Sequence, residues 1–333
     1  MSKPKLIHLA QVCVDLTLSV DYLPERGGDI FATKNGISAG GGYNVLYAAR
    51  QMEIPATYMG TIGTGPMADI ARASLRKIGV TFAGAVLPNV DTGYSVAMTE
   101  PSGERTFVST RGAETMVPET YYQNVELAES DVVYLSGYSL MHPKNAAAIR
   151  RFANKYAGWS AGFIVFDTSP VIDAIDSADI ACIQSLHPIW SINEREAAIL
   201  YSRFGLQNEA SSTMTSSECG RCQALAAYLH DVVIVRIGAQ GAWYCDGRHG
   251  ATTAPRHIPA LSVHAIDTNG AGDAHAGVLC ASLLQGESLE HSLILSNCAA
   301  ALSTTASGPA TCPRKDDVIN AAYSLAKSFH PHE

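Results

Sequence analysis

Residues 267–273, near the carboxyl end of the chain, have types and spacing suited to holding an anion beside a base. They read Asp-Thr-Asn-Gly-Ala-Gly-Asp, and a helical pattern that begins near Ala271 follows them. Because glycine and alanine leave the entrance of this helix uncovered, the N–H groups of residues 270–273 are free to face one point. Uncovered N–H groups at the positive end of a helix dipole form a binding site for an anion.

Asp273 closes this run and lies at the same helix entrance. A carboxylate there can accept the proton of a hydroxyl group whose oxygen attacks phosphorus, which is typically worth roughly 10²–10⁴ in rate. With a reference pKa of about 3.9, the carboxylate is ionised at neutral pH but is a weak base. For a short run taken in isolation, a glycine-rich helix start capped by Asp273 is an alternative interpretation.

The elements that position this run alternate between strands and helices. Apolar runs predict strands at 6–14, 56–62, 132–135, 163–167, 232–237, 242–245 and around 257. Periodicity predicts helices from 42 onward and at 67–78, 144–156, 193–204, 218–229, 271–284, 289–306 and 314–329. This order predicts a mostly parallel sheet covered by helices on both faces, with ligands at the carboxyl ends of the strands.

Two early regions do not fit that alternation. Residues 92–99 and 105–110 flank the turn Glu-Pro-Ser-Gly-Glu, which is typical of a β-hairpin. Extended stretches at 17–22 and 29–37 flank a second turn, Pro-Glu-Arg-Gly-Gly. We expect these segments to form a small separate sheet beside the main one.

Composition limits the partners of the chain. Its 23 basic and 31 acidic residues give a formal net charge of −8, a poor basis for nonspecific binding of nucleic acid or anionic membrane. The first residues lack the apolar core of a signal peptide, and no stretch is long and apolar enough to span a bilayer. We therefore expect a cytoplasmic protein that binds neither nucleic acid nor membrane. Cys219 and Cys222 have the spacing of half a zinc site, although no second pair is evident.

Two polar patterns lie in the first fifth of the chain. Residues 38–44, Ser-Ala-Gly-Gly-Gly-Tyr-Asn, join an extended segment to a helix. Gly40 and Gly42 superficially resemble a dinucleotide fingerprint, which would indicate an NAD-dependent oxidoreductase, but its third glycine is missing. Asp15 ends the first predicted strand, where a turn or capping aspartate is the structural alternative.

Three further patterns lie in the second half. Asn193 and Glu196 have the spacing of a capping box. Arg236 ends an apolar strand, where it could contact a phosphate in bidentate fashion or pair with a carboxylate. Asn297 is a polar residue on an otherwise small and apolar helix, which indicates a packing or hydrogen-bonding task.

Together these patterns resemble the ribokinase family, the PfkB carbohydrate kinases, in the right order across nearly the whole chain. The resemblance implies one α/β domain over 1–333, a three-layer α/β/α sandwich with a mostly parallel central sheet. It also implies a small β-sheet lid formed by about 16–37 and 92–110. The implied activity is ATP-dependent phosphorylation of a hydroxyl on a sugar or nucleoside that lies under the lid.

The resemblance also assigns roles to individual residues. It gives the general base to Asp273 and the anion hole to Gly270, Ala271 and Gly272. It assigns binding of the acceptor's hydroxyl groups to Asp15, Gly40, Gly41 and Asn44. It assigns nucleotide binding to Asn193, Glu196, Arg236, Gly238, Gly241 and Asn297. Glu196 would hold Mg²⁺ through water, Asp267 would lie at a site for a monovalent cation such as K⁺, and the protein would form a homodimer through the lid.

Three departures from the family pattern concern the acceptor more than phosphoryl transfer. The turn at 63–66, Gly-Thr-Gly-Pro, lacks the usual acid, and the segment at 167–170, Asp-Thr-Ser-Pro, lacks the usual Asn and Arg. His275 stands where Phe is common. These departures motivate an alternative hypothesis, a catalytically weak sugar- or nucleoside-binding regulatory protein on a kinase scaffold.

Overall fold

The computed structural model describes residues 3–206, 217–248 and 252–329, whose strands form two sheets. The strands are β1 (Leu6–His8), β2 (Val12–Ser19), β3 (Lys34–Gly41), β4 (Ala56–Tyr58), β5 (Thr81–Phe82), β6 (Tyr94–Thr99), β7 (Arg105–Ser109), β8 (Val132–Ser136), β9 (Phe163–Asp167), β10 (Ile189–Asn193), β11 (Val232–Arg236), β12 (Ala242–Asp246) and β13 (Arg256–Ile258). The helices are α1 (Gly42–Gln51), α2 (Pro66–Lys77), α3 (Gly137–Leu140), α4 (Pro143–Tyr156), α5 (Ser177–Gln184), α6 (Glu194–Arg203), α7 (Glu218–Leu229), α8 (Ala271–Leu284), α9 (Leu289–Ser303) and α10 (Lys315–Phe329).

The large sheet has the strand order β13-β12-β11-β10-β9-β8-β1-β4-β5 and is parallel except for β12 and β13. Its strands are apolar on both faces because helices cover both. In β8, for example, Val132 and Tyr134 pack with α1, α2, α8, α9 and α10. Val133 and Leu135 pack with α4 to α7 on the opposite face. The predicted three-layer sandwich is thereby confirmed.

The small sheet has the order β3-β2-β6-β7. Its β6 and β7 form the predicted antiparallel hairpin, in which the Glu100 N–H donates to the Glu104 carbonyl across the turn. Strand β2 runs antiparallel to β3 and parallel to β6. This sheet supplies one wall of the site described below.

The single strand predicted at 6–14 is wrong, because β1 ends at His8 and β2 begins at Val12 in the other sheet. The Tyr58 hydroxyl accepts the Val12 N–H at 3.1 Å, where the chain leaves the large sheet. Residues 6–10 are buried throughout, and Val12 and Val14 are buried in β2, so an apolar pattern alone does not mark the change of sheet.

Other boundaries also differ from the predictions. The predicted segments of the small sheet were about 16–37 and 92–110, whereas its observed strands are 12–19, 34–41, 94–99 and 105–109. The sheet begins earlier because the glycine-rich residues 38–41 pair with 12–15. Strand β10 was not predicted, since only a helix start was expected at its end. Among the helices of the described ranges, none combines the length and the apolar character needed to cross a bilayer.

Candidate active site

The start of α8 and the side chain of Asn44 on α1 meet at Asp273. The Asn44 side-chain amide donates to the Asp273 carboxylate, with Nδ2 and Oδ2 3.0 Å apart. Asn44 is 6% exposed, and its Oδ1 atom has no hydrogen-bond partner within the described part of the chain. Two residues predicted for different tasks, acceptor binding and proton transfer, are therefore in direct contact.

Asp273 has a pKa well above that of an ordinary aspartate. Burial raises the pKa of Asp273 to about 7, against the lowering effect of the Asn44 hydrogen bond. The charges of Asp167 and Asp15 raise this pKa as well, and that of Arg236 lowers it. The expectation that Asp273 is a weak base is therefore corrected. A desolvated carboxylate holds its proton more tightly and is a stronger base.

The helix start has the glycine geometry that its sequence predicted. Gly270 precedes α8 with φ 77°, and a Cβ atom at this position would lie 2.0 Å from the Pro309 carbonyl oxygen. The first turn of a helix leaves its N–H groups without intrahelical acceptors. One expected member of the anion hole differs, since the Ala271 N–H donates to the Thr268 carbonyl at 3.3 Å.

Asp15 and Gly40, both predicted to bind the acceptor, come together on the small sheet. Asp15 on β2 lies against Gly40 on β3, where an added Cβ atom would meet the Asp15 Oδ2 atom at 1.9 Å. Burial raises the pKa of Asp15 to about 6. Gly41 precedes α1 with φ 59° and so leads directly to Asn44. The dinucleotide interpretation of this run is wrong, because its glycines begin in an antiparallel strand of the small sheet rather than after a parallel strand of the main one.

A row of hydroxyl groups crosses the small sheet on the Asp15 face. Asp15 pairs with Ser38 and Ser95, and Ser95 pairs with Ser109. The Ser95 and Ser109 hydroxyl oxygens are 2.9 Å apart. The sequence prediction missed this row, since it depends on the register of three strands far apart in the chain.

Arg236, at the carboxyl end of β11, joins two acidic strand ends to the helix start. Its Nη1 atom lies 3.2 Å from the Asp167 Oδ2 atom, and its Nη2 atom lies 3.8 Å from the Glu196 Oε2 atom. Nη1 also donates to the Gly272 carbonyl at 3.3 Å. Of the two interpretations left open by the sequence, pairing with carboxylates is the one observed.

Asn193 and Glu196 form the predicted capping box at the start of α6. The Glu196 N–H donates to Asn193 Oδ1, and the Asn193 N–H donates to Glu196 Oε2, each at 2.9 Å. Thr168 donates its hydroxyl to Glu196 Oε2 at 2.9 Å. Burial and the Asp167 charge raise the pKa of Glu196, while Arg236 lowers it. Glu196 is 1% exposed, and its Oε1 atom accepts the Asn193 side-chain amide at 2.7 Å.

The remaining predicted nucleotide residues surround the ends of β12 and β13. Gly238 and Gly241 have φ of 58° and 100°, and a Cβ atom on Gly241 would lie 2.1 Å from the Ile258 carbonyl oxygen. The Asn297 side-chain amide donates to the Ile258 and Pro259 carbonyls at 2.9 and 3.2 Å. Asn297 therefore fixes the segment that borders the Gly238–Gly241 turn.

Asp267, assigned by resemblance to a monovalent cation, pairs with the guanidinium of Arg105 on β7. Its carboxylate also accepts the Asn269 N–H at 2.9 Å and the Gly308 N–H at 3.0 Å. Burial raises the pKa of Asp267, but these backbone donors and Arg105 outweigh it, so the net shift is downward. Arg105, at the start of β7, thus links the small sheet to residues 267–273.

Two of the departures noted in the sequence have a structural account. The turn at 63–66, which precedes α2, lacks the usual acid. Asp91 from another loop caps α2 instead, since it accepts the Ala68 and Met67 N–H groups at 2.8 and 3.2 Å. His275 is 2% exposed, and burial followed by the Arg236 charge lowers its pKa to about 3. His275 is therefore a neutral core residue.

A buried aspartate at a helix start, at the carboxyl edge of an α/β sandwich beside a small sheet, fits a phosphotransferase with an alcohol group as acceptor. The match to "pfkB family carbohydrate kinase" covers residues 5–316, and the chain belongs to this family. It is thus a sugar kinase of the ribokinase type.

Individual relatives agree with this assignment. The chain is 30% identical to "Uncharacterized sugar kinase YegV" of Escherichia coli (strain K12), over 96% of this chain and 94% of that protein. It is 27% identical to "ATP-dependent ribose-1-phosphate kinase" of Halopiger xanaduensis, over 94% of this chain and 96% of that protein. The fold matches that of Arabidopsis thaliana ribokinase, solved in complex with ribose and ATP, with a TM-score of 0.74, 19% identity and coverage of 97% and 99% of the two chains.

Proposed function

We propose that this protein transfers the γ-phosphoryl group of ATP to a hydroxyl group of a sugar or nucleoside, with Asp273 as the general base. The observation that carries the proposal is the contact of 3.0 Å between Asn44 and Asp273. It joins the acceptor side of the site to a carboxylate whose pKa is raised to about 7. A base with a pKa near the working pH is the most effective acceptor of a hydroxyl proton.

In the proposed reaction, Asp15, Gly40, Gly41 and Asn44 orient the acceptor. Asp273 takes the hydroxyl proton as the acceptor oxygen bonds to the γ-phosphorus, and the bond from that phosphorus to the ADP oxygen breaks. The N–H groups at the start of α8 hold the transferring group, and such fixed donors contribute most where charge develops in the transition state.

The charges of the site favour a nucleotide that arrives with a divalent cation. The charges of Asp167, Glu196 and Asp273 act on Arg236, and that of Asp15 acts on Asp273. Burial raises the pKa of Asp15, Glu196 and Asp273. A triphosphate would add negative charge to this cluster. Bound Mg²⁺ would offset that charge while keeping most of its waters. We propose that Glu196 holds this ion through one of those waters.

The acceptor side favours a small polyhydroxylated molecule. The row formed by Asp15, Ser38, Ser95 and Ser109 offers one carboxylate and three hydroxyls on one face of the small sheet. We propose that this sheet acts as a lid over the acceptor within a single domain, and that it also forms the interface of a homodimer. Since one relative is named a ribose-1-phosphate kinase, phosphorylated pentoses belong among the candidate acceptors. The cytoplasmic location remains a prediction from the sequence.

The test is Asp273→Asn, assayed for ADP formation against a panel of pentoses, hexoses, nucleosides and pentose phosphates. We expect wild-type turnover with at least one acceptor and a loss of roughly 10²–10⁴ in kcat for the variant. Nucleotide affinity, measured by calorimetry with ADP, should be unchanged. The matched control is Asp69→Asn, a carboxylate that is 78% exposed on α2.

A folded Asp273→Asn variant with wild-type turnover would overturn the assignment of the base. Wild-type protein that binds an acceptor in calorimetry but forms no ADP with any of the panel would favour the alternative, a regulatory sugar- or nucleoside-binding protein.

A further inference from the structure

Arg236 has surroundings that differ from the nucleotide-binding role implied by the resemblance. Its observed partners are protein groups, and the arginine of the family pattern is absent from the segment at 167–170. The Arg236 side chain is 14% exposed, and its Nε atom has no hydrogen-bond partner in the ranges that the structure describes. A guanidinium removed from solvent in this way needs opposing charges to be stable.

The groups that face the guanidinium come from three elements. Asp167 ends β9, Glu196 lies in the first turn of α6, and the Gly272 carbonyl lies in the first turn of α8. A Cβ atom on residue 272 would be 3.0 Å from the Arg236 Nη1 atom, so the guanidinium packs directly against the helix start. The planar, forked shape of arginine suits several acceptors at once, whereas lysine provides a single compact ammonium.

We infer that Arg236 is a positioning residue, which locks the anion-hole turn of α8 to the acidic ends of the sheet and provides the fixed positive charge beside Asp273. Its guanidinium comes from the end of β11, and the segment at 167–170 after β9 contains no arginine. The inference rests on the proposed function, because it gives Arg236 a role in the same phosphoryl transfer.

Removing this charge has a predictable sign. The groups that act on Asp273 are Asn44 from α1, Asp15 from β2, Asp167 from β9 and Arg236 from β11. Cys13, Tyr134 and Tyr138 also interact with the Asp273 charge. Arg236 lowers the pKa of Asp273, so its loss leaves the nearby carboxylates uncompensated and raises that pKa further. The base is then protonated up to a higher pH, and the acid limb of kcat/KM moves upward.

The experiment compares wild type, Arg236→Gln and Arg236→Lys, with Arg203→Gln as the matched control. Arg203 donates to the Ile172 carbonyl and the Ser177 hydroxyl at the other end of α6. The acid limb of kcat/KM is measured for each protein. The Asp273 carboxyl is also titrated directly by ¹³C NMR on aspartate-labelled protein without nucleotide, with its signal assigned by its absence in Asp273→Asn.

For Arg236→Gln we expect kcat to fall on the order of 10²-fold and both pH readouts to move up by about one unit. For Arg236→Lys we expect about a tenfold lower kcat, because the fork is lost, with an acid limb near that of wild type. Arg203→Gln should leave the limb and the titration unchanged.

An Asp273 titration in Arg236→Gln that matches wild type would overturn the inference, whether or not the protein turns over an acceptor. If the glutamine variant does not fold, wild-type kcat in Arg236→Lys would overturn it instead. Failure of the proposed function would look different. Wild type would form no ADP, while the Asp273 titration would still move upward in Arg236→Gln.

Discussion

Gly40 shows how a single residue sets the shape of the acceptor site. Its missing side chain leaves room for the Asp15 carboxylate, whose Oδ2 atom would lie 1.9 Å from a Cβ atom at position 40. We expect Gly40→Ala to push this carboxylate out of place and to lower kcat/KM for the acceptor by about 10²-fold, since small misplacements of binding groups are costly. Steady-state kinetics with each substrate varied in turn would measure this, and the KM for ATP should be unchanged.

The control for this substitution lies on the same strand. A Cβ atom on Gly36 would meet only the Thr17 hydroxyl, at 2.7 Å, and that group can rotate away. Gly36→Ala should therefore retain acceptor kinetics close to wild type. Equal effects of the two alanines would mean that the strand as a whole, and not the Asp15 carboxylate, responds to added bulk.

At the scale of elements, the sequence predicted helices well and changes of sheet poorly. The helices Glu218–Leu229 and Ala271–Leu284 and the strand Phe163–Asp167 have the predicted bounds, because periodicity and end signals are local. The division of 6–14 between two sheets depends on distant partners such as Tyr58, which a local pattern does not contain.

The site was predicted in the same uneven way. The residue types at 273, 15 and 44 were identified from the sequence, yet the raised pKa of Asp273 depends on burial and on charges from other strands. Asp91 caps the start of α2 from a loop more than twenty residues away in the chain. Arg236 reaches Asp167 from the end of a different strand, also far away in the chain. Their roles follow from the packing of the elements rather than from any spacing in the chain.

Arg105 connects two elements, the β7 strand of the small sheet and the loop before α8, through Asp267. We expect Arg105→Ala to weaken closure of the small sheet over the acceptor and to lower kcat/KM for the acceptor about tenfold, as for loss of one charged hydrogen bond. The Arg105 guanidinium pairs with Asp267, the carboxylate that the resemblance assigns to a monovalent cation. We therefore expect wild-type turnover to be equal in K⁺ and Na⁺. Initial rates in the two salts at equal ionic strength would check this.

The neighbouring Glu104 provides the control, since it is exposed in the turn before β7, whereas the ion pair with Asp267 is made by Arg105. Glu104→Ala should behave as wild type in both measurements. A clear stimulation of wild type by K⁺ would contradict the view that Arg105 takes the place of the cation.

At the scale of the whole molecule, the small sheet carries a polar row on one face and an apolar row on the other. The face opposite Asp15 carries one cross-strand row of apolar side chains, Ile37, Leu16, Val96 and Val108. The two ends of this row are 53% exposed at Ile37 and 58% exposed at Val108. A contiguous apolar row on a sheet face is typical of a surface that another protein covers, and a second copy of the chain is the partner that we propose.

Val108→Lys tests this interface, because it places a charge at one end of the apolar row. Burying an unpaired ammonium against apolar side chains is unfavourable, so we expect the dimer dissociation constant to rise by on the order of 10²-fold or more. Sedimentation velocity over a range of concentrations would measure it. Val86→Lys is the control, since Val86 is a similarly exposed apolar residue, 50% accessible, outside the small sheet. A wild-type protein that stays monomeric at high concentration, or a Val108→Lys dimer as tight as that of Val86→Lys, would place any self-association on another surface and leave the small sheet with the acceptor alone.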